Sequence, residues 1–252
     1  MKAALEVTFT PAEFEALKGR DLSRTTCVVF DVLRATSTMA MALSNGAEAI
    51  IPAASIAEAL RLRERQPAIL LAGERDGVRI PASLTGSIDF DLGNSPREFT
   101  RDKVRGKTIA MTTTNGTRAL RACAAARRVL IGSFLNLRAT AGFLANEGPC
   151  PLLLVCGGTL EEAAYEDVLG AGALSDLLRP PSSDTRVADS ALMARRLFAA
   201  ESADLAAALG RSRNGGRLLG LEGLREDVAF CAQRDLVNLA AGMDREGRIT
   251  VL

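Results

Sequence analysis

The chain contains no histidine and no tryptophan, and a single tyrosine among 252 residues. Without histidine, Ser-His-Asp and Cys-His catalysis, phosphohistidine chemistry and His-ligated zinc are all excluded. Proton transfer near neutral pH therefore falls to carboxylates, Lys, Tyr, Cys or metal-bound water. Any metal is expected to be held by oxygen ligands, which favours Mg or Mn. Aromatic residues make up 4% of the chain, too few for base-stacking platforms. A formal net charge of +1 gives no electrostatic case for nucleic acid or an anionic membrane as partner. Five cysteines, Cys27, Cys123, Cys150, Cys156 and Cys231, form no CxxC pair and read as buried free thiols in a reducing compartment. No uncharged stretch approaches the roughly 18 residues of a membrane span, and no signal-peptide pattern precedes the first polar residues. The expectation is a cytoplasmic protein with neither a nucleic-acid nor a membrane partner.

What is present is a globular composition, 48% hydrophobic and 24% charged, in a chain long enough for one large α/β domain or two small ones. Short β-branched or aliphatic runs alternate with Ala/Leu-rich stretches. TTCVVFDV (25–32) reads as a strand and ATSTMAMALSNG (35–46) as a helix ending at Asn45-Gly46. AEAIIPA precedes SIAEALRLRERQ, where Ser55 and Glu58 form a capping box. AILLAGE (68–74) is another strand, followed by a long loop to about Phe99; KTIAMTT, RVLIGSF and PLLLVCG each precede a helix. This alternation predicts a three-layer α/β/α fold with a mainly parallel sheet. PPSSD (180–184) interrupts the pattern, dividing an α/β core over 1–180 from a C-terminal region over 181–252. Beyond it, residues 189–209 read as one long amphipathic helix, suited either to core packing or to a homo-oligomer interface. The tail, ending in the strand-like GRITVL, either closes over the same sheet or forms a smaller lobe.

In open parallel sheets ligands lie beyond the carboxyl ends of the strands. Those ends carry DVLRATST with Asp31 and Arg34, then GERDG with Glu74 and Arg75, and TTTNGTR, and CGGTLEEAAYED with Glu166 and Asp167. The long loop adds Asp89, Asp91, Asn94 and Ser95. Each has a local alternative. Asp31 suits a helix cap, Arg34 a surface position, Glu74-Arg75 a weak ion pair, and GNSP an ordinary turn. Glu166 and Asp167 suit the first turn of a helix. Gly170-Ala171-Gly172 is better explained by close helix packing than by a dinucleotide site, and no GxxxxGK[ST] run occurs. MTTTNGTRAL (111–120) is open to two readings, helix capping through Thr114 or Asn115, or an anion cradle. Taken together, acids, arginines and hydroxyls at several strand ends point to a Mg-dependent enzyme acting on a small phosphorylated molecule.

In order along the chain, DVLRATST with NGA, LAGERDG, FDLGNSP, TTTNGT, GSFLN and YEDVLGAG resemble the 2-phosphosulfolactate phosphatase family, with a weaker likeness in SRNGGRLL (212–219) and EDVAFCAQRD. The likeness runs from about residue 25 to 235. It implies a three-layer α/β fold and Mg²⁺-dependent hydrolysis of 2-phospho-3-sulfolactate to sulfolactate and phosphate in the route to coenzyme M. Two departures stand out. Asn214 occupies a position in the SR-x-G segment where the family often has histidine, and Ile88-Asp89-Phe90-Asp91 replaces a GFD run. Family membership extends beyond organisms that make coenzyme M, which leaves another phosphorylated hydroxy acid as substrate. A non-catalytic anion-binding module on the same fold is the rival reading.

On this basis Asp31, Glu74 and Asp167 are expected to hold Mg²⁺, and Arg34 and Arg75 to neutralise the phosphate and the acidic tail. Thr113, Thr114, Asn115 and Gly116 are expected to hold phosphate oxygens, with Arg118 assisting and Asn94 and Ser95 contributing to substrate binding. Asp31, Arg34, Glu74 and Asp167 make up the expected catalytic set, with Asp31 either serving the metal or attacking phosphorus directly.

Overall fold

Five consecutive buried residues, Thr26–Phe30, show how this sequence builds its sheet. Cys27 and Val29 join one apolar cluster while Val28 and Phe30 join another. A strand covered on both faces reads as a continuous apolar run, and its period-two alternation divides the residues between two helical layers. The computed structural model describes residues 4–178 and 186–252. Its strands are β1 (Ala4–Thr8), β2 (Thr26–Phe30), β3 (Ala49–Pro52), β4 (Leu70–Arg75), β5 (Val78–Arg79), β6 (Thr108–Thr112), β7 (Arg128–Gly132), β8 (Leu152–Cys156), β9 (Arg186–Val187), β10 (Ala241–Met243) and β11 (Ile249–Val251). Among the described residues they form one 11-stranded sheet in the order β5-β4-β6-β3-β11-β10-β7-β2-β8-β1-β9. Helices Ala35–Ser44 and Gly116–Ala122 pack on one face, and Leu137–Asn146 and Tyr165–Leu177 on the other. The α/β/α expectation holds.

The C-terminal hairpin β10–β11 sits in the middle of the sheet. It pairs antiparallel with β7 on one side and with β3 on the other. The tail therefore completes the sheet and is not a separate lobe. β4, β6 and β3 form one parallel block; β7, β2, β8, β1 and β9 form a second. Three antiparallel pairings in a row between them mean that the two blocks run in opposite senses. The strand ends expected along one edge of a single parallel sheet thus belong to two opposed blocks. Strand twist accumulates across the hairpin, and both blocks bury apolar residues in one shared core with helices Ala35–Ser44 and Gly116–Ala122.

Local signals account for most elements. Ser55 accepts the Glu58 N–H at 3.1 Å, while the Glu58 carboxylate reaches back to the Ala54 N–H at 2.7 Å. The helix expected over 189–209 is two helices, Asp189–Glu201 and Leu205–Arg211. Asp204 separates them by capping the second, accepting the Ala207 N–H at 3.0 Å. The PPSSD break and the boundary drawn at residue 180 lie outside the described residues. β1 and β10 were not anticipated. β1 pairs with β8 and β9, and its buried Leu5 and Val7 flank the half-buried Glu6. No helix is long and apolar enough to cross a membrane among the described residues.

Gly170 and Gly172 serve packing. A Cβ on Gly170 would lie 2.8 Å from the Phe30 ring, and one on Gly172 only 2.1 Å from the Ala194 carbonyl oxygen. Gly172→Ala is expected to lower unfolding stability in urea by about 2 kcal/mol or more, because backbone must move. Gly142→Ala, on an open helical position with nothing within 4 Å, is expected to raise it by about 0.5–1 kcal/mol. Equal effects at the two positions would refute the packing account.

Candidate active site

Asp31 follows β2 directly, and its neighbours fix it. Its Oδ1 accepts the Ala35 N–H at 3.0 Å, and its backbone carbonyl accepts both the N–H and the hydroxyl of Thr36 at 2.9 Å. It therefore caps helix Ala35–Ser44 with one oxygen and offers the other elsewhere. A Cβ on Gly116 would come within 2.8 Å of Asp31 Oδ2 and 2.7 Å of Ala35 Cβ. Glycine at 116 is what lets the turn after β6 approach the turn after β2.

Glu74, in β4, ties down that second turn. Its Oε1 accepts the Thr114 N–H at 2.9 Å and the Thr114 hydroxyl at 3.0 Å; its Oε2 accepts the Gly77 N–H at 2.8 Å. Capping of helix Gly116–Ala122 falls to Thr113, whose hydroxyl accepts the Thr117 N–H at 3.4 Å. The side chain of Asn115 makes no capping bond. Asp31, Glu74, Thr113, Thr114 and Asn115 line a cavity of about 290 Å³, together with Arg34 and Asn94. Asn94 is buried and its Oδ1 has no hydrogen-bond partner. A larger groove of about 850 Å³ lies beyond Thr113 and Thr114, but its acids, Glu15 and Glu161, lie on the surface.

Arg34 is held from beneath. Its Nη1 donates to Asp227 Oδ2 at 2.8 Å, with the two side chains 2% and 0% exposed, and its Nη2 donates to the Gly77 carbonyl. Asp227 also accepts the Ser95 hydroxyl at 2.7 Å. The cavity lining also includes Thr159, Leu160, Arg213, Asn214 and Arg217. There the Asn214 amide donates to Thr159 Oγ1 at 2.7 Å and to the buried Glu166 Oε1 at 2.5 Å.

Several expected residues are not at the cavity. Arg75 is consumed as a clamp between strands, donating to the Glu74 carbonyl at 2.6 Å and to Thr112 Oγ1 at 3.2 Å. Arg118 pairs with Glu161 and lies over the Phe14 ring in the larger groove. Ser95 lies behind Asn94 on Asp227. Asp167 accepts the Val32 N–H at 2.8 Å and the Gly158 N–H at 3.0 Å, so its carboxylate positions two loops behind the cavity. In the long loop, Asp89 accepts the Ala82 N–H and Asp91 the Leu71 N–H, both structural roles. Among the described residues no three or more Asp, Glu, Cys or His are grouped to hold a metal ion unaided. Sequence reasoning missed Asp227 and did not use Arg213 and Arg217. The arginines carried a signal, a spacing of four that places them on one helical face.

The family model for 2-phosphosulpholactate phosphatase matches residues 12–244. A Symbiobacterium thermophilum protein named "Probable 2-phosphosulfolactate phosphatase" is 38% identical, covering 98% of this chain and 99% of its own. A Caldicellulosiruptor saccharolyticus protein of the same name is 39% identical over 84% of this chain and 86% of its own. A third, from Carboxydothermus hydrogenoformans, is 36% identical over 98% and 96%.

Negative charge is concentrated beneath the cavity. Burial above all, then Glu74 and Glu166, pushes the Asp31 carboxyl up from 3.8 to about 7, against the Ala35 N–H and Arg34. Burial also raises Asp167, reinforced by Glu166 and Asp31, and raises Glu166 against its bond from Asn214. A carboxyl raised in the folded state keeps a proton that the unfolded chain releases, so its ionisation weakens folding as pH climbs from about 4 to about 7. In chelator, wild-type stability is expected to fall relative to Asp31→Asn between pH 5 and pH 7, by at most roughly 1.4 kcal/mol per pH unit. Urea unfolding of both proteins across this interval measures it, and a constant difference would overturn the assignment.

Proposed function

The chain belongs to the 2-phosphosulpholactate phosphatase family, and on that premise we propose that its cavity hydrolyses a small phosphomonoester, 2-phospho-3-sulfolactate or a similar phosphorylated hydroxy acid, with Mg²⁺ as cofactor. The observation that carries the reading is the junction of Asp31 with the Thr113–Gly116 turn. A proton-accepting carboxylate and a run of hydroxyl and amide groups at a helix start meet around one small cavity.

The donor set fits a hard cation. Asp31 and Glu74 stand at the cavity wall, Asn94 Oδ1 is an unpartnered buried acceptor, and all are oxygens. Mg²⁺ typically takes one or two carboxylates and completes its shell with water and phosphate oxygens. Asp31 and Glu74, which line the cavity, are the residues that would hold it; Asp167, which does not line it, supports the loops around them through the Val32 and Gly158 N–H groups. When bound, the ion supplies charge neutralisation for the phosphate and an acidified water.

The chain's own groups supply the rest. Thr113, Thr114, Asn115 and the Gly116 backbone orient phosphate oxygens. Arg34, held in place by Asp227, adds positive potential at the wall. Asp31 takes a proton from the attacking water as its oxygen bonds to phosphorus and the ester P–O bond breaks. The same proton is then available to the departing alkoxide. Phosphoryl transfer depends mainly on positioning and charge neutralisation, so no histidine is required.

Purified protein is expected to release phosphate from 2-phospho-3-sulfolactate with Mg²⁺ and to lose this in chelator. Asp31→Asn is expected to cut kcat at least about 10³-fold with the fold intact by circular dichroism. Arg118→Ala, in the other groove, is expected to stay within about a factor of two of wild type. Folded protein with added Mg²⁺ but no turnover on any of a panel of phosphoesters refutes the enzyme. Phosphate trapped covalently on Asp31 would replace the proton-acceptor role with direct attack.

A further inference from the structure

Helix Arg213–Leu219 is fixed in place at the cavity mouth. A Cβ on Gly215 would stand 1.9 Å from the Leu209 carbonyl oxygen, so this helix sits tightly against helix Leu205–Arg211. Ser212 caps it by accepting the Gly215 N–H at 3.0 Å, and Leu218 is buried beneath it. The two arginines on this platform, Arg213 and Arg217, are four residues apart, hence on one face, and both line the cavity.

Their present partners hold them loosely. Arg213 pairs with Glu162 and donates to the Thr159 carbonyl at 3.0 Å, and Arg217 pairs with Asp76; the acids are 73% and 87% exposed and the arginines 48% and 52%. Ion pairs this open to water contribute little and exchange readily. Arg34 and Arg75 differ. Arg34 is 2% exposed and bonded to Asp227, and Arg75 is clamped between backbone carbonyls and Thr112. The guanidinium groups half-exposed to an incoming anion at this wall are those of the C-terminal helix.

We propose that Arg213 and Arg217 determine specificity by binding the acid group that the substrate carries beyond its phosphate, a carboxylate or sulfonate. The inference rests on the phosphomonoesterase reading of the cavity. The phosphate lies against the Thr113–Gly116 turn on one wall, and the acid tail reaches the arginine pair on the other. Each arginine exchanges an exposed carboxylate for a desolvated one, in the planar donor geometry that suits such anions. A neutral tail gives the arginines no reason to leave Glu162 and Asp76, so discrimination arises in binding.

The test compares 2-phospho-3-sulfolactate with p-nitrophenyl phosphate, whose tail carries no acid group, in Arg213→Ala, Arg217→Ala and the double variant. The ratio of the two kcat/KM values is expected to fall about tenfold for each arginine removed. For the acidic substrate the loss is expected mainly in KM, with partial rescue by Arg213→Lys. Equal losses on both substrates, leaving the ratio intact, overturn the proposal. Calorimetric titration with 3-sulfolactate, which has no phosphate, separates the two readings. Weaker sulfolactate binding in the variants supports the arginine role even in a protein inert toward every phosphoester. Normal turnover with an unchanged ratio and unchanged sulfolactate affinity keeps the hydrolase and sinks the arginine role.

Discussion

A buried guanidinium persists only where its charge is matched, and Arg34 meets that condition through Asp227. The pair connects parts of the chain that are far apart in sequence. Arg34 follows β2, Asp227 lies in helix Arg225–Cys231, the Gly77 carbonyl follows β4, and Ser95 follows the loop residue Asn94. Desolvating two ions costs several kcal/mol each, an expense offset here by the 2.8 Å contact and the added Ser95 and Gly77 bonds. Removing either partner would strand a buried charge, at roughly 3–5 kcal/mol. The cavity wall formed by Arg34, Asn94 and the turn at Gly77 therefore depends on this one contact.

The opposed strand blocks explain why such a tie is needed. A uniformly parallel sheet brings its strand ends together by construction. Here β2 and β8 belong to one block and β4 and β6 to the other, with an antiparallel hairpin between them. Their ends meet only because polar contacts cross from block to block. Gly116, after β6, closes on Asp31, after β2, and Asp227 fastens Arg34 to the loop of Asn94 and Ser95, while within one block Asp167 accepts the Val32 N–H. The acids that make these contacts also crowd one another, so the architecture and the accumulation of negative charge share a cause.

How far the site was legible follows from the same topology. Asp31, Glu74, Asn94, Thr113, Thr114 and Asn115 announced themselves as polar residues after apolar runs, and all line the cavity, while Gly116 packs against Asp31. Position after a strand does not fix direction, however. Glu74 and Arg75 are adjacent in β4, so the pleat sends them apart, and only Glu74 lines the cavity. Arg118, two residues into its helix, points to the neighbouring groove. Asp227 was hidden because its partner Arg34 is 193 residues away, and no local pattern encodes such a pairing. The hairpin at the centre of the sheet was obscured for a similar reason: β10 is only three residues long and contains a glycine, so it lacks the run that marks a strand. The two-helix split at Asp204 was readable from its capping chemistry, but the continuous Ala/Leu periodicity on either side concealed it.

The proposed hydrolysis needs a group that exchanges protons near neutral pH, and in a chain without histidine the proposal gives that part to a buried carboxyl. An unperturbed histidine titrates near 6.5. Asp31, raised to about 7 in the ion-free protein by burial and by the acids around it, covers the same range with the opposite charge type: neutral when protonated, anionic when not. This difference matters for an anionic substrate. A protonated histidine attracts phosphate, whereas an ionised Asp31 repels it, so cationic groups must surround the carboxylate for the two to meet. Arg34 and the helix start at Gly116 are placed to do this, and a cation at the wall would complete it. Asn214 fits the same scheme. Its amide is spent on Thr159 and Glu166, stabilising the charged form of a buried acid without itself titrating. In the proposed mechanism proton chemistry is thereby concentrated on the carboxylates, and the rest of the wall is left to position and to neutralise.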